Sequence, residues 1–221
     1  MEIIPAILPK NFREIEENIE LITGLSPLVQ IDICDGKFVP SITWPYWKQD
    51  ENFESILREE RGMPEWEQIN YEFDLMIDNP TVDDARKWLS AGAERVVLHL
   101  ESSKDLTPVL DVLKGLVEIG VAIGQAANVE DLNKYVDKIQ FVQVMGIRKA
   151  GFQGQKFEPG TIDKVKEVKA MFPELKVQID GGVSLETAPL LKHAGADRLV
   201  VGSAIFNSEN IVDTYADFQA I

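Results

Sequence analysis

Ala194-Gly195-Ala196-Asp197, then Arg198-Leu199-Val200-Val201, then Gly202-Ser203-Ala204-Ile205, is the stretch from which the fold can be read. A helical pattern stops at a glycine, a short apolar run follows, and a second glycine opens a new turn. Glycine just past a helix suits the left-handed cap position. An unbroken Leu-Val run, with no polar alternation, suits a parallel strand buried on both faces. The same phrase stands earlier as Ala91-Gly92-Ala93-Glu94 before Arg95–Leu100, and Glu118-Ile119-Gly120 precedes Val121–Gly124.

Outward from these, further short apolar runs mark strands at Glu2–Leu8, Leu28–Ile33, Gln68–Met76, Phe141–Met145 and Lys176–Ile179. Amphipathic stretches lie between them. Asn11–Ile22 carries apolar residues at helical spacing. Thr81–Ser90 opens after Pro80 with Asp83 and Asp84 in its first turn, where the helix dipole favours acids. Ser184–His193 starts on Ser-x-Glu and stops before Gly195. Eight strands in strict alternation with helices predict an α/β protein with a closed (β/α)8 barrel, in one domain over 1–221. No linker or shift in composition divides the chain.

Composition narrows the partners. The 221 residues are 45% hydrophobic and carry a formal charge of −15. That charge repels nucleic acid and anionic membranes, so neither is expected as a partner. Any anionic ligand must be held by local donors. Cys34 is the only cysteine, which excludes an intramolecular disulfide and fits a reducing, cytoplasmic setting. The opening Met1-to-Phe12 segment lacks a basic region followed by an apolar core, so no signal peptide is expected. A homo-oligomer is compatible with the sequence, and nothing in it specifies one.

The chemistry gathers at strand ends, the barrel face where ligands bind. Gly151-Phe152-Gln153-Gly154-Gln155, Asp180-Gly181-Gly182-Val183 and Gly202-Ser203 follow the sixth, seventh and eighth strands. Glycine turns let backbone N–H groups approach an anion closely, which points to a phosphate. Asp32 and Asp180 end the second and seventh strands, read as lying across the barrel from each other. Two carboxylates flanking one carbon can take a proton from one face and return it on the other. Each also reads simply as a turn cap. The loop after the second strand holds Trp44, Tyr46 and Trp47, and reads equally well as ligand-binding or as packing. His99 reads as a satisfied core histidine, His193 as a complement to a helix C-terminus, and Cys34 as a buried filler.

These residues resemble the ribulose-phosphate 3-epimerase family over nearly the whole chain. Pro5-Ala6-Ile7-Leu8 resembles its opening Pro-Ser-Ile-Leu. Asp32-Ile33-Cys34-Asp35-Gly36-Lys37-Phe38-Val39-Pro40 resembles Asp-x-Met-Asp-Gly-x-Phe-Val-Pro. Leu75-Met76-Ile77-Asp78-Asn79-Pro80 resembles Leu-Met-Ile-x-Asn-Pro. Val97-Leu98-His99-Leu100-Glu101 is similar to its fourth strand, and Gly151-Phe152 with Gly154-Gln155 resembles Gly-Phe-Gly-Gly-Gln. The resemblance implies a ribulose-phosphate-binding type of barrel and an isomerase of the pentose phosphate steps of carbohydrate metabolism. Asp32 and Asp180 would be its acid–base pair. A divalent metal would steady an enediolate, Met76 and Met145 would line the site, and Gly151, Phe152, Gly154, Gly181, Gly182, Gly202 and Ser203 would hold a small phosphorylated sugar.

The chain departs from that family at the metal. Gln30-Ile31-Asp32 stands where the family has His-x-Asp, and Asp74-Leu75-Met76 where it has His-Leu-Met. The implied ligand set is therefore Gln30, Asp32, Asp74 and Asp180, all oxygen donors. The metal, drawn from magnesium, manganese, iron and zinc, is then either changed in kind or absent. Ala6 replaces a serine, Gly124-Gln125-Ala126-Ala127-Asn128 lacks the family's Asn-Pro-x-Thr, and Gly146-Ile147-Arg148-Lys149-Ala150 gains two cations. Arg148 and Lys149 read either as ligand contacts or as solvated charges. Two other readings remain. One is a lyase or decarboxylase on the same barrel, though Asp32-Ile33-Cys34-Asp35 lacks the lysine of their Asp-x-Lys-x-x-Asp. The other is a barrel that binds a phosphosugar without catalysis.

Overall fold

The computed structural model describes residues 1–221. Its parallel strands follow one another in chain order and close into a barrel. They are β1 (Glu2–Ile7), β2 (Leu28–Cys34), β3 (Asn70–Met76), β4 (Ala93–His99), β5 (Glu118–Ile123), β6 (Phe141–Met145), β7 (Lys176–Asp180) and β8 (Arg198–Val201). Around them run α1 (Phe12–Ile22), α2 (Glu51–Leu57), α3 (Val82–Ser90), α4 (Thr107–Leu113), α5 (Gly160–Met171), α6 (Ala188–Ala194), α7 (Ser203–Phe206) and α8 (Ile211–Ala220). A 3-10 helix, Val129–Lys134, takes the place of a full helix between β5 and β6. No helix is long and apolar enough to cross a membrane.

Two apolar layers hold the barrel. The outer one packs the strands' outward side chains, such as Ile31, Phe73, Leu98 and Ile179, against the helices. The inner one is broken into small groups, among them Ile4, Ala6, Leu28 and Val200, and Val97, Ala122, Phe141 and Met145. Polar residues fill the gaps between the inner groups, so the interior is a stack of apolar and polar layers.

Local chemistry sets the helix ends. Asn11 accepts a hydrogen bond from the backbone of Glu14 and starts α1. Thr81 and Asp84 form a reciprocal capping box at α3. Gly195 ends α6 in the left-handed conformation, as the repeated phrase requires.

Two readings need correction. Glu118-Ile119-Gly120 is not a helix stop: it is the first half of β5. Gly120 is there because a Cβ would meet the Phe141 ring at 2.3 Å. Ser184–His193 is not one helix either. Ser184 and Thr187 exchange side-chain-to-backbone hydrogen bonds in a turn, and α6 begins only at Ala188. The loop after β2 is anchored by packing. Trp44 is buried among Phe12, Phe53 and Trp88, with ring centroids 5.1–6.1 Å apart.

Candidate active site

Strand register assembles the site. Asp32 of β2 pairs with Asp74 of β3, and Asp180 of β7 pairs with Met145 of β6. All three aspartates point into the barrel, and one carboxylate oxygen of each lies within 4.8 Å of the others. β2 and β7 are joined through β1 and β8, so they are not diametrically opposed as the sequence reading supposed. Their side chains meet because all eight strands converge on a narrow interior.

Asp32 and Asp180 form part of the wall of a cavity of about 330 Å³ at the C-terminal mouth. Met76, Met145, Gly151, Phe152, Gly154, Gly181, Gly182, Gly202 and Ser203 line the same cavity. Gly181 and Gly182 both have positive φ, and a Cβ on Gly182 would meet the Phe157 backbone at 2.7 Å. Glycine is therefore required where β7 turns past the β6 loop. Gln153 of that loop reaches over the mouth and donates to the carbonyl of Ala6. Arg148 turns away and pairs with Glu158 at 2.9 Å, so the added cations do not line the cavity. Cys34 is buried against Met76 and Val39. His193 sits in the last turn of α6.

Beneath the cavity floor lie polar residues that strand patterns alone did not bring together. His99 Nε2 is 2.8 Å from Asp74 Oδ1, and Gln143 Nε2 donates to Asp74 Oδ2 at 3.0 Å. Both Asp74 oxygens are thus engaged. Gln30 requires a correction. Its nitrogen, not its oxygen, faces the carboxylates, donating to Asp32 Oδ1 at 2.8 Å with Asp180 Oδ2 at 3.4 Å. Its oxygen faces Gln178. In this orientation Gln30 offers a cation no ligand atom. Strand parity was the available signal for Gln143 and Gln178, each two residues before an inward residue, Met145 and Asp180.

Burial and crowding set the charge state. Asp32 is held well above the usual carboxylate range, first by burial and then by the charges of Asp180 and Asp74, against the hydrogen bond from Gln30. Asp180 is pushed up to about 7 by burial and by Asp74, with Gln30 and His99 opposing. Burial disfavours the charged form of His99, but the charge and hydrogen bond of Asp74 outweigh it and raise its pKa. Carboxylates so close together bind protons near neutrality or attract a cation.

A divalent cation fits this donor set. Three converging carboxylates supply hard oxygen ligands, the chemistry of magnesium and manganese sites. Imidazole is absent from the converging set, because His99 is occupied beside Asp74.

Comparison with known proteins places the chain. Residues 2–206 match the model of the Ribulose-phosphate 3 epimerase family. Ribulose-phosphate 3-epimerase of Bacillus subtilis is 30% identical over 217 residues, covering 95% of this chain and 94% of that protein. Its counterpart in Aquifex aeolicus is 30% identical over 213 residues, covering 94% and 90%. Among solved structures, 3-hexulose-6-phosphate synthase from Salmonella typhimurium superposes with a TM-score of 0.74 at 13% identity, covering 100% of this chain and 97% of the other. KGPDC from Streptococcus mutans in complex with D-R5P gives 0.68 at 14% identity, covering 99% and 95%. The last two show a shared fold, whereas the family match and the 30% identity across both lengths show descent: this chain belongs to the ribulose-phosphate 3-epimerase family, a family of isomerases.

Proposed function

We propose that this chain is an epimerase of a phosphorylated ketose, interconverting D-ribulose 5-phosphate and D-xylulose 5-phosphate within one barrel domain over 1–221, in the cytoplasm. The convergence of Asp32, Asp74 and Asp180 within 4.8 Å, against a cavity walled by glycine turns, carries this reading. The ketose phosphate would lie with its phosphate against Gly181, Gly182, Gly202 and Ser203, under Gly151, Phe152 and Gly154. Met76 and Met145 would pack against its carbon chain.

One aspartate of the pair, ionised, takes the proton from the carbon beside the carbonyl. The electron pair moves into an enediolate. The other aspartate, protonated, returns a proton to the opposite face of the same carbon, and the configuration inverts. The chemistry needs one carboxylate charged and one neutral at the same pH. Burial and mutual repulsion favour that state near neutrality, as the rise of Asp180 to about 7 indicates. A divalent cation held by Asp32, Asp74 and Asp180, magnesium or manganese by donor type, would supply charge to balance the enediolate. The remaining duties fall to the chain itself. Gln30 holds Asp32 and Asp180 from below, while His99 and Gln143 hold Asp74.

The test is an assay of ribulose 5-phosphate epimerisation, with elemental analysis and added magnesium, manganese, iron or zinc. Turnover is expected, strongest with magnesium or manganese. Asp32→Asn and Asp180→Asn are each expected to lower kcat by about 10²–10⁴-fold. Failure to turn over with any cation would refute the reading and leave a phosphosugar lyase or a binding barrel in its place.

A further inference from the structure

Three glutamines form a layer directly beneath the aspartates. Gln30, Gln143 and Gln178 are fully buried, come from β2, β6 and β7, and none of them lines the cavity. Gln178 is the hub. Its Nε2 donates to Glu72 Oε1 at 2.6 Å and to Gln143 Oε1 at 2.8 Å, with Gln30 Oε1 at 3.5 Å. Two neighbouring amides therefore have their oxygens facing one nitrogen. An amide presents its nitrogen opposite its oxygen, so both turn their nitrogens up toward the carboxylates.

Turning Gln30 over would create two unfavourable contacts at once. Its oxygen would face an ionised Asp32 Oδ1 at 2.8 Å, and its nitrogen would face the nitrogen of Gln178. Neither place is open to water that could relieve them, and an unmatched buried polar pair is costly. The orientation of Gln30 is set by its donation to Asp32, and the Gln178 nitrogen 3.5 Å from its oxygen favours the same sense from below.

We propose that Gln30 is a bridging hydrogen-bond donor that joins Asp32 to Asp180, supported from below by Gln178, and that it is not a cation ligand. This deepens the epimerase reading and rests on it for the roles of the two aspartates. One amide nitrogen shared between two carboxylates fixes their spacing, which two-faced proton transfer requires. The same nitrogen occupies lone pairs of Asp32 Oδ1 and Asp180 Oδ2. A cation in the site uses the lone pairs that remain, and the amide competes with it.

That competition separates a bridge from a ligand. Methionine has nearly the length and volume of glutamine, donates no hydrogen bond, and offers manganese only a soft sulfur. Mn2+ affinity, measured by titration without substrate, is expected to stay equal or become tighter in Gln30→Met. With D-ribulose 5-phosphate, kcat is expected to fall at least about 10-fold while KM stays within about threefold, because Gln30 lies outside the cavity wall. Gln178→Met is expected to repeat this pattern at smaller size. Gln30→Asn keeps a buried amide but withdraws it by one methylene, and guards against misfolding as the cause. It is expected to melt near the wild type and still lose turnover.

Mn2+ binding weakened 10-fold or more in Gln30→Met would make Gln30 a ligand and overturn the proposal. Wild-type kcat in Gln30→Met or in Gln30→Asn would also overturn it. Should the wild type neither turn over nor bind Mn2+, the epimerase reading fails separately. A cation site gained in Gln30→Met would then still support the bridge, and its continued absence would overturn it.

Discussion

The two ends of the barrel interior hold similar numbers of acids and treat them in opposite ways. At the N-terminal end, Glu2 and Glu118 meet two arginines. Arg198 reaches Glu118 at 2.6 Å and Glu2 at 2.9 Å, and Arg95 reaches Glu118 at 2.8 Å and Glu2 at 2.9 Å. Arg198 also stacks over Phe141, 4.9 Å from the ring centre. At the C-terminal end, Asp32, Asp74 and Asp180 meet only amides and one imidazole. Fixed cations at one end close the fold; their absence at the other leaves a charge for something else to meet. Conserving charge balance in one place and withholding it in another separates stability from reactivity within a single barrel.

The contrast can be broken most forcefully at the floor. Arg198→Met would remove one of the two arginines from Glu2 and Glu118 and is expected to cost about 1–3 kcal/mol in urea unfolding, because Arg95 still pairs with both. Turnover per folded molecule is expected to stay within about twofold, because Arg198 does not line the cavity. A large loss of kcat at unchanged stability would abolish the division between the two ends.

The next effect lies at the mouth and depends on pH. Asp180 is raised from 3.8 to about 7 in the fold, so the folded protein keeps a proton that the unfolded chain has released. The stability this contributes is complete below about pH 4 and is lost as pH rises to about 7. Without divalent cation, the unfolding free energy is therefore expected to fall by about 1–2 kcal/mol across that window, less than full burial would give because the cavity admits water. Asp180→Asn is expected to flatten this part of the profile, and Mn2+ to restore stability above pH 7. Glu72, pushed up to about 8 by its burial, and Asp32, raised first by burial, add slopes of the same sign that Asp180→Asn leaves in place. A profile that rises with pH in the absence of cation would contradict the crowding of the three carboxylates.

The smallest effect sharpens the comparison by marking what belongs to neither end. Arg148 and Glu158 pair outside both ends of the barrel interior, with Arg148 78% exposed. Arg148→Ala is expected to shift stability by less than about 0.5 kcal/mol and to leave KM for the ketose phosphate within about twofold. A tenfold rise in KM would bring the cationic loop into the ligand site.

Much of this was legible from residue order. Strands buried on both faces read as unbroken apolar runs, so β6 and β8 keep the bounds expected of them. The glycine stop before β8 was legible because a left-handed cap has few other solutions. Gly120 misled because a glycine inside a strand resembles a glycine before one, and only Phe141 across the pair shows why it is there. In the site, Asp32 and Asp180 announced themselves as charges at the ends of apolar runs. Gln143 and Gln178 did not, because a neutral amide in a strand carries no cost that the sequence displays. His99 was read as satisfied, but its partner, Asp74, lies on the neighbouring strand and depends on register. The Gln178 amide that faces the Gln30 oxygen lies 148 residues away, and no local pattern contains it.

Each aspartate comes from a different strand, and the path between them runs through hydrogen-bonded neighbours around a ring with no edge. The backbone positions that carry these carboxylates can shift against one another only if the ladder itself slips or opens. Local fraying of a helix or loop therefore leaves the spacing of the three unchanged, while any opening that separates them must open the whole sheet. Amide protons of β2, β3 and β7 should accordingly exchange with solvent only through global unfolding, and the site should vanish in the same cooperative event as the fold. In such a protein, enzymatic competence is an all-or-none property of the folded population.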